Sequence, residues 1–484
     1  RASLVDIMPH AQTGSEHPLK GRECTMAPLA GIPRHAWRDG RVDPAVEKLE
    51  CDVLVIGGGP AGSTAATLLA RKGHCVLMLE KDRHPRFHIG ESLLPANVPI
   101  LEELGVLERV RALGVLKLGA DFPKDDGHVT FHFERALGDT PGYAFQVRRD
   151  QFDQALFEHA RENGVDARDG CKVTAVRVSG IGSVEAEVDD GSGRHSTVRA
   201  RYLVDASGRD TVLGNRFKLK RKNPKHQSAA IFAHFRGVER RAGEDQGNIS
   251  IYRFEHGWAW FIPLPDGLMS VGCVCWPDYL KQRRGSPETF LMQTLERMPA
   301  AMRRMHGAAI EGGVHVTGNY SYACTRMAGP GWIMVGDAWA FVDPVFSSGV
   351  YLAMHGARRA AGLIDTSLRE PAREAALQRA FDRRLRRGVR VFSWFIQRFN
   401  SPVMAGLFAQ PRNIWRIEDG IVSMLAGDVF DNREVMKRVH AFKFIYFAKG
   451  SSMIRRWIAD WRERRHQARA RFSGGNTPLD EGGR

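Results

Sequence analysis

Residues 51–80 contain the pattern that most restricts how this chain can fold. A short apolar run, Asp52 to Ile56, is followed by the sequence GGGPAG at 57–62, by a helical stretch ending near Lys72, and by a second apolar run that closes on Glu80. This order predicts a strand, a glycine turn, a helix and a strand with an acid at its tip. The segment therefore predicts a dinucleotide site in an α/β fold with a Rossmann-like domain.

Three glycines of the turn are required in such a site for different physical reasons. Gly57 permits the tight turn, Gly59 lets a pyrophosphate approach the backbone, and Gly62 lets the helix pack closely on the sheet. Ala61 is the remaining small residue of the turn, and we expect it to lie against the cofactor. The free N–H groups at the helix start favour phosphate charge, and Glu80 is placed to accept from a ribose hydroxyl.

Composition and charge limit the size of the core, the kind of partner and the cellular location that can be expected. The 484 residues are 43% hydrophobic and carry a formal charge of +15, which predicts a large core, in one large or two interlocked domains, and an acidic partner or membrane surface. No nucleic-acid motif accompanies the charge, so we predict no nucleic-acid binding. There is no spanning apolar run and no signal peptide. The seven cysteines lack zinc or redox spacing, which predicts no metal site, reduced thiols and a cytoplasmic protein.

The pattern along the chain predicts three regions. Residues 1–48 read as a flexible N-terminal extension, 49–370 as the nucleotide-binding core, and 371–484 as a helical region with a basic tail. Alternation of apolar and polar residues at about 227–276 predicts an inserted antiparallel β-sheet that forms a platform over the cofactor. No second nucleotide-binding glycine turn occurs, so the electrons must come from elsewhere.

Three further pieces surround the glycine turn in sequence. The stretch 81–95 has two prolines and a glycine and predicts a loop crossing the cofactor, with GES at 90–92. DASG follows an apolar run at 205–208, and GD follows another at 336–337. Together with the glycine turn, these pieces resemble the FAD-dependent monooxygenase fold that aromatic hydroxylases share with geranylgeranyl reductases.

That resemblance implies FAD as the cofactor and assigns several residues to it. Asp337 would accept from a ribityl hydroxyl, and Arg149, in the pattern VxRxxFD at 147–153, would lie near the flavin. Asp205 would help to close around the cofactor, and the alternative is that it is a strand-end turn residue. The loop implies three further cofactor contacts, at Gly90, Glu91 and Ser92.

Two motifs narrow the choice among the families that share this fold. Residues 258–263 read WAWFIP, matching WxWxIP, and residues 341–349 read FVDPVFSSG, matching FxxPxxSxG. Both are similar to motifs of the flavin-dependent halogenases, and the resemblance covers roughly residues 50–450. It implies a halide site at Ser348 and Gly349, with a helix N-cap as the compatible alternative, and a cofactor contact at Pro344.

The WxWxIP segment is expected to form a wall between flavin and substrate, which would prevent direct oxygen transfer. The wall residues are Trp258, Trp260, Ile262 and Pro263. The plainer interpretation is that the two tryptophans pack on one face of a strand.

A lysine completes the resemblance. Halogenases carry an essential lysine about fifty residues beyond the glycine turn, and Lys117, in KLGADF, falls in that place. Lys124 is the nearest competitor, but it follows Pro123 in a polar turn. The resemblance therefore implies Lys117 as the catalytic residue, and a desolvated lysine suits the role because its pKa falls on burial.

The implied reaction uses FADH₂ from a separate flavin reductase, O₂, and chloride or bromide. Hypohalous acid made at the flavin would travel to Lys117, which would direct the halogen to an electron-rich ring. Phe346 stands where tryptophan halogenases carry a glutamate. This departure favours a phenol, a pyrrole or an aryl-polyene-like substrate, free or tethered to a carrier protein, over free tryptophan.

Two basic clusters bear on partners. We expect the first to dock an acidic acyl or peptidyl carrier protein, and the second, with two tryptophans, to contact a membrane surface; a solvated basic face is the alternative for both. A membrane contact would make the protein peripheral to the inner membrane. The first comprises Arg383, Arg384, Arg386, Arg387 and Arg390, and the second Arg455, Arg456, Trp457, Trp461, Arg462, Arg464, Arg465, Arg469 and Arg471.

Two other functions stay open at this point. One is a geranylgeranyl-reductase-like or hydroxylase-like FAD oxidoreductase, which would not need an amine at Lys117. The other is a non-catalytic flavin-binding scaffold associated with a membrane. The sequence leaves undecided the halide, the exact substrate, the regiochemistry and number of halogens, the oligomeric state and the role of the N-terminal extension.

Overall fold

A computed structural model of the chain describes residues 47–124, 127–223, 228–318, 321–411, 413–451 and residue 462. The predicted N-terminal extension up to residue 46, and all but Arg462 of the second basic cluster, lie outside these residues. The strands are β1 Glu47–Ile56, β2 Val76–Glu80, β3 Gly114–Lys117, β4 Gly119–Lys124, β5 Gly127–His132, β6 Ala144–Val147, β7 Asp166–Asp169, β8 Lys172–Gly180, β9 Ser183–Asp189, β10 His195–Asp205, β11 Lys220–Lys222, β12 Ala229–Arg236, β13 Ile249–Phe254, β14 Gly257–Pro263, β15 Leu268–Cys275, β16 Ala309–Gly318, β17 Tyr322–Cys324, β18 Ala328–Gly329, β19 Trp332–Met334 and β20 Ala340–Phe341.

Helices surround these strands and continue to the C-terminal part. They are α1 Pro60–Arg71, α2 Val98–Leu104, α3 Leu107–Leu113, α4 Arg149–Glu162, α5 Val212–Arg216, α6 Pro277–Leu280, α7 Pro287–Glu296, α8 Pro299–Met302, α9 Ser348–Arg369, α10 Glu374–Ile396, α11 Pro402–Ala409, α12 Ile417–Leu425 and α13 Arg433–Ser451.

The central sheet is a parallel, doubly wound sheet. Its order is β18-β19-β10-β1-β2-β7, with all neighbours parallel except β18 and β19, and the β8-β9 hairpin joins at β10. The strand β1 is central, and its apolar residues 53–55 are fully buried, as expected for a strand covered on both faces. The predicted α/β class with a Rossmann-like domain is confirmed.

A second sheet of seven strands forms the platform. Its order is β16-β12-β15-β14-β13-β4-β5, antiparallel throughout except for β13 beside β4. Its strands β12 to β15 lie within the predicted segment 227–276. Strands from residues 119–132 and 309–318, which are far apart in sequence, extend the sheet. A smaller ribbon pairs β3 with β6.

The main core joins the first sheet, one face of the second sheet and the long C-terminal helices. A separate apolar cluster covers the opposite face of the second sheet, under α7. Among the described cysteines, Cys75 is disulfide-bonded while Cys51, Cys171, Cys273, Cys275 and Cys324 are free thiols. The prediction that all cysteines are reduced is therefore wrong for Cys75. In the described residues, no helix has the length and apolar character needed to cross a bilayer.

Candidate functional site

The predicted nucleotide residues meet at one edge of the central sheet. The glycine turn follows β1, Glu80 ends β2, Asp205 ends β10, and Asp337 lies three residues after β19. These four strands are neighbours and parallel, so their carboxyl ends open on the same crevice. Such a crevice is where doubly wound sheets bind nucleotides.

The glycines of the turn fit this geometry for different reasons. Gly57 has φ +102°, and a Cβ there would lie 2.4 Å from the carbonyl oxygen of Ala206. A Cβ on Gly62 would lie 1.8 Å from the Gly57 carbonyl oxygen. The first turn of helix α1 can therefore pack against the glycine turn only with glycine at position 62. At Gly59 the nearest neighbour of a Cβ would be the Arg86 guanidinium at 3.3 Å. The turn therefore leaves Gly59 accessible to a ligand, as a pyrophosphate requires.

Glu80 links the turn to a basic residue that the sequence did not single out. Its carboxylate accepts from the N–H of Gly58 at 2.7 Å and from the N–H of Asp82 at 3.1 Å. Arg86 lies 3.4 Å from Glu80 and 3.4 Å from the buried carboxylate of Asp153. Arg86 thus places a positive charge beside the glycine turn, where a phosphate would be stabilised.

Arg149 anchors the crossing loop. Its guanidinium donates to both oxygens of Asp153, at 2.8 and 3.1 Å, and to the carbonyl of Ile89 at 3.0 Å. The charge of Arg149 also reaches Asp337: burial raises the pKa of that carboxyl to about 6, although Arg209 and Arg149 act in the opposite direction. Arg149 therefore contacts the crossing loop and acts electrostatically on Asp337.

Asp205 is held entirely within its own turn. Its carboxylate accepts from the N–H and hydroxyl of Ser207 and from the N–H of Leu213 at 2.7 Å, and the side chain is fully buried. These are contacts that a strand-end turn residue makes. Asp205 shapes the crevice through the DASG turn.

The GES loop is fixed by strand-like pairing with β6. Ser92 forms a bridge with Gln146, and the carbonyl of Glu91 accepts from the N–H of Val147 at 2.8 Å. The buried Glu91 carboxylate also contacts His234 at 2.8 Å. Burial lowers the pKa of His234, but the hydrogen bond and charge of Glu91 outweigh this and raise the pKa above its ordinary value.

Lys117 is buried at the end of β3, with 1% of its surface exposed. Its ammonium donates to the hydroxyl of Ser92 and to the carbonyl of Leu93, each at 2.9 Å, and lies 5.2 Å from the centre of the Phe133 ring. Burial lowers the pKa of Lys117 from 10.5 to about 7. A lysine held in this way can act as ammonium or as free amine near neutral pH.

The FxxPxxSxG segment forms the start of helix α9. Pro344 begins a short 3₁₀ turn, and Ser347 then adopts φ +55°, a left-handed conformation that costs a non-glycine residue about 1–2 kcal/mol. The Ser348 hydroxyl is fully buried and has no hydrogen-bond partner in the described part of the chain. A Cβ on Gly349 would meet nothing within 4 Å.

This turn has the features of a small-anion site. The first N–H groups of a helix have no intrahelical acceptor, and α9 is 22 residues long, so its dipole favours negative charge at Ser348 and Gly349. The unpaired hydroxyl supplies one more donor. Ser347 occupies the N-cap position, and among the described contacts its side chain makes no capping hydrogen bond.

Lys117 and the helix start share one small cavity. Its wall includes Lys117 together with Phe346 and Ser347, although about 230 residues separate them in the chain. The rest of the lining is apolar and comes from Leu94, Ala120, Phe122, Phe133, Ile249, Ile251 and Leu425.

The WxWxIP residues lie on β14 between the two cores. Trp258, Trp260 and Ile262 face the main core, while Ala259 and Phe261 face the opposite cluster. The Trp258 and Trp260 rings are 5.7 Å apart, and Pro263 ends the strand. Both tryptophans therefore do pack on one strand face, and that face is the one turned toward the nucleotide-binding domain.

Asp343 connects this strand to the helix start. Burial raises the pKa of its carboxyl to about 6, and the N–H of Val345 and the side chains of Trp258 and Ser228 partly offset this. Sequence reasoning missed Asp343, Arg86 and His234. The Asp343 position inside FVDPVFSSG was the available signal, whereas Arg86 and His234 become recognisable only through their tertiary partners.

Two of the five arginines of the first basic cluster form ion pairs. Arg384 pairs with Asp431, and Arg386 pairs with Asp382. The remaining arginines of the cluster are exposed on α10 and have no ion-pair partner among the described residues: Arg383, Arg387 and Arg390.

Comparison with known proteins agrees with this geometry. Residues 50–394 match the family described as FAD binding domain. The chain is 38% identical over 318 residues to the tryptophan 2-halogenase of Chondromyces crocatus, covering 64% of this chain and 60% of the relative. It is 36% identical over 350 residues to a flavin-dependent halogenase of Armillaria mellea, covering 66% and 68%. A 1H-pyrrole-2-carbonyl-[peptidyl-carrier protein] chlorinase of Pseudomonas fluorescens is 29% identical over 411 residues, covering 79% and 90%.

Solved structures share the fold. A flavoprotein/dehydrogenase from Cytophaga hutchinsonii superposes with a TM-score of 0.77 at 28% identity, covering 84% of this chain and 100% of that one. The flavin-dependent brominase Bmp2 superposes with a TM-score of 0.73 at 29% identity, covering 82% and 99%.

Proposed function

The chain belongs to the flavin-dependent halogenases, and we propose that it halogenates an electron-rich aromatic compound through Lys117. The observation that carries this proposal is that the buried ammonium of Lys117 lines the same cavity as the start of helix α9. FAD is the cofactor of the family, and the open position at Gly59 and the basic Arg86 beside it suit its pyrophosphate. When bound in reduced form, FADH₂ supplies two electrons and two protons, with which O₂, halide and one further proton give hypohalous acid and water.

The chain's own residues would divide the remaining work. Ser348 and Gly349 would hold the halide by N–H groups and the unpaired hydroxyl. Gly57, Gly59, Ala61, Gly62 and Glu80 would bind the nucleotide part of the cofactor, and Arg149 and Asp337 would lie toward the flavin. The strand bearing Trp258 and Trp260 would separate flavin from substrate.

At the substrate end, Lys117 would hydrogen-bond the hypohalous acid or form a haloamine. The ring then takes the halogen and loses a proton, so that hypohalous acid and the arene give the haloarene and water. Ser92 and the Leu93 carbonyl fix the direction of the amine, which leaves its third bonding direction for the oxidant. The low pKa of Lys117 keeps both protonation states available near pH 7.

The side chains around Lys117 are mostly aromatic and aliphatic, the kind that line sites for aromatic ligands. The cavity itself, at about 10 Å³, has room for a water-sized molecule and not for a ring. We propose a phenol, pyrrole or aryl-polyene-like substrate because Phe346 stands in place of a carboxylate. One relative acts on a pyrrole carried by a protein and another on tryptophan, so both kinds of substrate belong in the test. The partners proposed are a separate flavin reductase and, at the exposed arginines of α10, an acidic carrier protein.

Mass spectrometry tests the proposal directly. The reaction contains enzyme, FAD, a flavin reductase with NADH, bromide, O₂ and a phenol or pyrrole acceptor, and a parallel set uses pyrrole on a carrier protein and free tryptophan. We expect a bromine isotope doublet that disappears in Lys117→Ala and persists in the matched control Lys124→Ala.

The opposite result would redirect the interpretation. A flavoprotein/dehydrogenase shares this fold, and an oxidoreductase of that kind would turn over its substrate in Lys117→Ala. Oxygenated product, or peroxide alone with every acceptor, would refute halogenation and favour the hydroxylase-like or non-catalytic interpretations.

A further inference from the structure

We propose that a second ligand site, for a small phosphate-bearing anion, lies on the platform sheet away from Lys117. A cleft of about 250 Å³ opens beside the end of β4, the segment after β12 and the turn after α8. Among the described residues, its lining contains Arg240, Arg241, Arg303, Arg304 and Glu239. Arg303 takes part in another interaction. The other three arginines outnumber the single glutamate, so the charge of these described residues favours an anion.

Arg304 is the centre of the site because it is buried, with 6% of its surface exposed. Its Nε donates to the carbonyl of Glu239 at 2.8 Å, and its Nη1 donates to the hydroxyls of Ser250 and Tyr252 at 2.8 and 3.1 Å. Its Nη2 has no hydrogen-bond partner in the part of the chain that the structure describes. No carboxylate of the described residues forms an ion pair with Arg304.

Arg241 repeats this shortage of acceptors, whereas Arg240 has two backbone partners. Arg241 uses Nε for an ion pair with the buried Asp121 at 3.2 Å, and its Nη2 is unpartnered within the described residues. Arg240 donates to the backbone carbonyls of Leu264 and Leu268. Burial lowers the pKa of Arg240.

Buried N–H donors without acceptors are destabilising, and donors on a cation more so. The guanidinium fork matches the oxygens of phosphate and binds them with two parallel hydrogen bonds. A cleft of about 250 Å³ lies just below the usual volume range of ligand sites, about 300–1,000 Å³. These properties together select a small anion with several oxygens, of which a phosphate group is the best match.

The alternation of strand residues separates this cleft from the Lys117 cavity. Ala120 and Phe122 of β4, and Ile251 of β13, line the Lys117 cavity. Pro123 and Tyr252, their neighbours in sequence, line the arginine cleft. Successive strand residues point to opposite faces of a sheet, so the two sites share these strands and lie on opposite faces.

Calorimetry with inorganic phosphate tests the site on the FAD-saturated protein, in which the cofactor occupies the glycine turn. We expect saturable binding that is unchanged in a control with the exposed Arg284→Gln and weakened about tenfold or more in Arg241→Gln, because one charge-assisted contact is lost. Asp121→Asn provides an independent test: it should tighten binding, since the carboxylate no longer competes for Arg241.

The source of the phosphate is distinguished by parallel titrations with sulfate, a nucleoside monophosphate and 4′-phosphopantetheine. Binding of all four with similar affinity would assign the site to a free oxyanion, and preference for one organic phosphate would assign it to that ligand. Absence of saturable binding, or equal phosphate affinity in the wild type and Arg241→Gln, would overturn the proposal.

Discussion

The ammonium of Lys117 donates to the hydroxyl of Ser92 at 2.9 Å. Ser92 belongs to the loop that follows the nucleotide half of the domain, whereas Lys117 ends a strand of the small ribbon beside the platform. Both are tied to β6, Lys117 through the pairing of β3 and Ser92 through its bridge to Gln146. The loop that crosses the predicted cofactor site and the proposed catalytic amine are thus positioned by the same strand.

The buried lysine should make stability depend on pH. Because burial lowers the pKa of Lys117 from 10.5 to about 7, the unfolded chain binds one proton more than the folded chain between these values, and folding becomes more favourable as pH rises. Replacing Lys117 with Met removes this dependence. The variant should gain most over the wild type below pH 7, and the difference in unfolding free energy should shrink toward pH 10.5.

Chemical denaturation of both proteins at several pH values measures that difference. The lost hydrogen bonds to Ser92 and Leu93 add a term that does not vary with pH in this range. A constant difference between the two proteins would show that the pKa of Lys117 is not lowered in the folded state.

The yield of halogenated product should fall by at least about a hundredfold in Lys117→Ala, which is the usual scale for loss of a general acid or base.

A bulkier residue at the glycine turn should weaken FAD binding without unfolding the protein. In Gly59→Val the new side chain meets first the movable end of Arg86, so the fold can adapt while the pyrophosphate loses its approach. We expect FAD affinity to drop about tenfold or more, equivalent to about 1.4 kcal/mol, measured by flavin fluorescence. Gly180→Ala is the matched control, because a Cβ there has nothing within 4 Å; equal affinities in both variants would contradict the assigned site.

Two serines of helix α9 separate halide binding from packing. Ser348 and Ser367 are both fully buried, and neither hydroxyl has a hydrogen-bond partner among the described residues. Ser348→Ala should raise the KM for bromide several-fold with little loss of stability, because no hydrogen bond within the protein is broken. Ser367→Ala, at the far end of the helix, should leave this KM unchanged. The halide assignment fails if both variants keep the wild-type KM for bromide.

Charge reversal tests the carrier-protein proposal. Arg383 and Arg387 are exposed on one face of α10, where they are four residues apart and so one helical turn apart. The double variant Arg383→Glu/Arg387→Glu should raise the KM for a carrier-bound pyrrole about tenfold, because surface charge steers association. The KM for free phenol should stay unchanged. An unchanged KM for the carrier-bound substrate at low salt would exclude this helix face as the docking surface.

Much of the nucleotide site could be predicted because its signals are local. A strand, a glycine turn and an acid at the next strand end specify their own conformation within thirty residues, and steric exclusion at Gly57 and Gly62 explains the requirement for glycine. The two family motifs likewise predicted a helix start at Ser348 and a strand at Trp258. The inserted sheet was predicted only in part, since β4, β5 and β16 come from distant segments whose pairing is not a local property.

The sequence by itself determined the parallel nucleotide-binding sheet and the glycine turn, because these follow from short-range sterics. The motifs, through the family resemblance, indicated which residues to propose for halogenation. Only the tertiary structure decided that Lys117 lines the cavity at the start of α9. It likewise decided that the Asp205 carboxylate accepts hydrogen bonds from its own turn. The burial of Arg304, with Nη2 unpaired among the described residues, also depends on it. Contacts between segments far apart in the chain depend on how two sheets pack. Burial, which sets the pKa of Lys117, exists only after that packing.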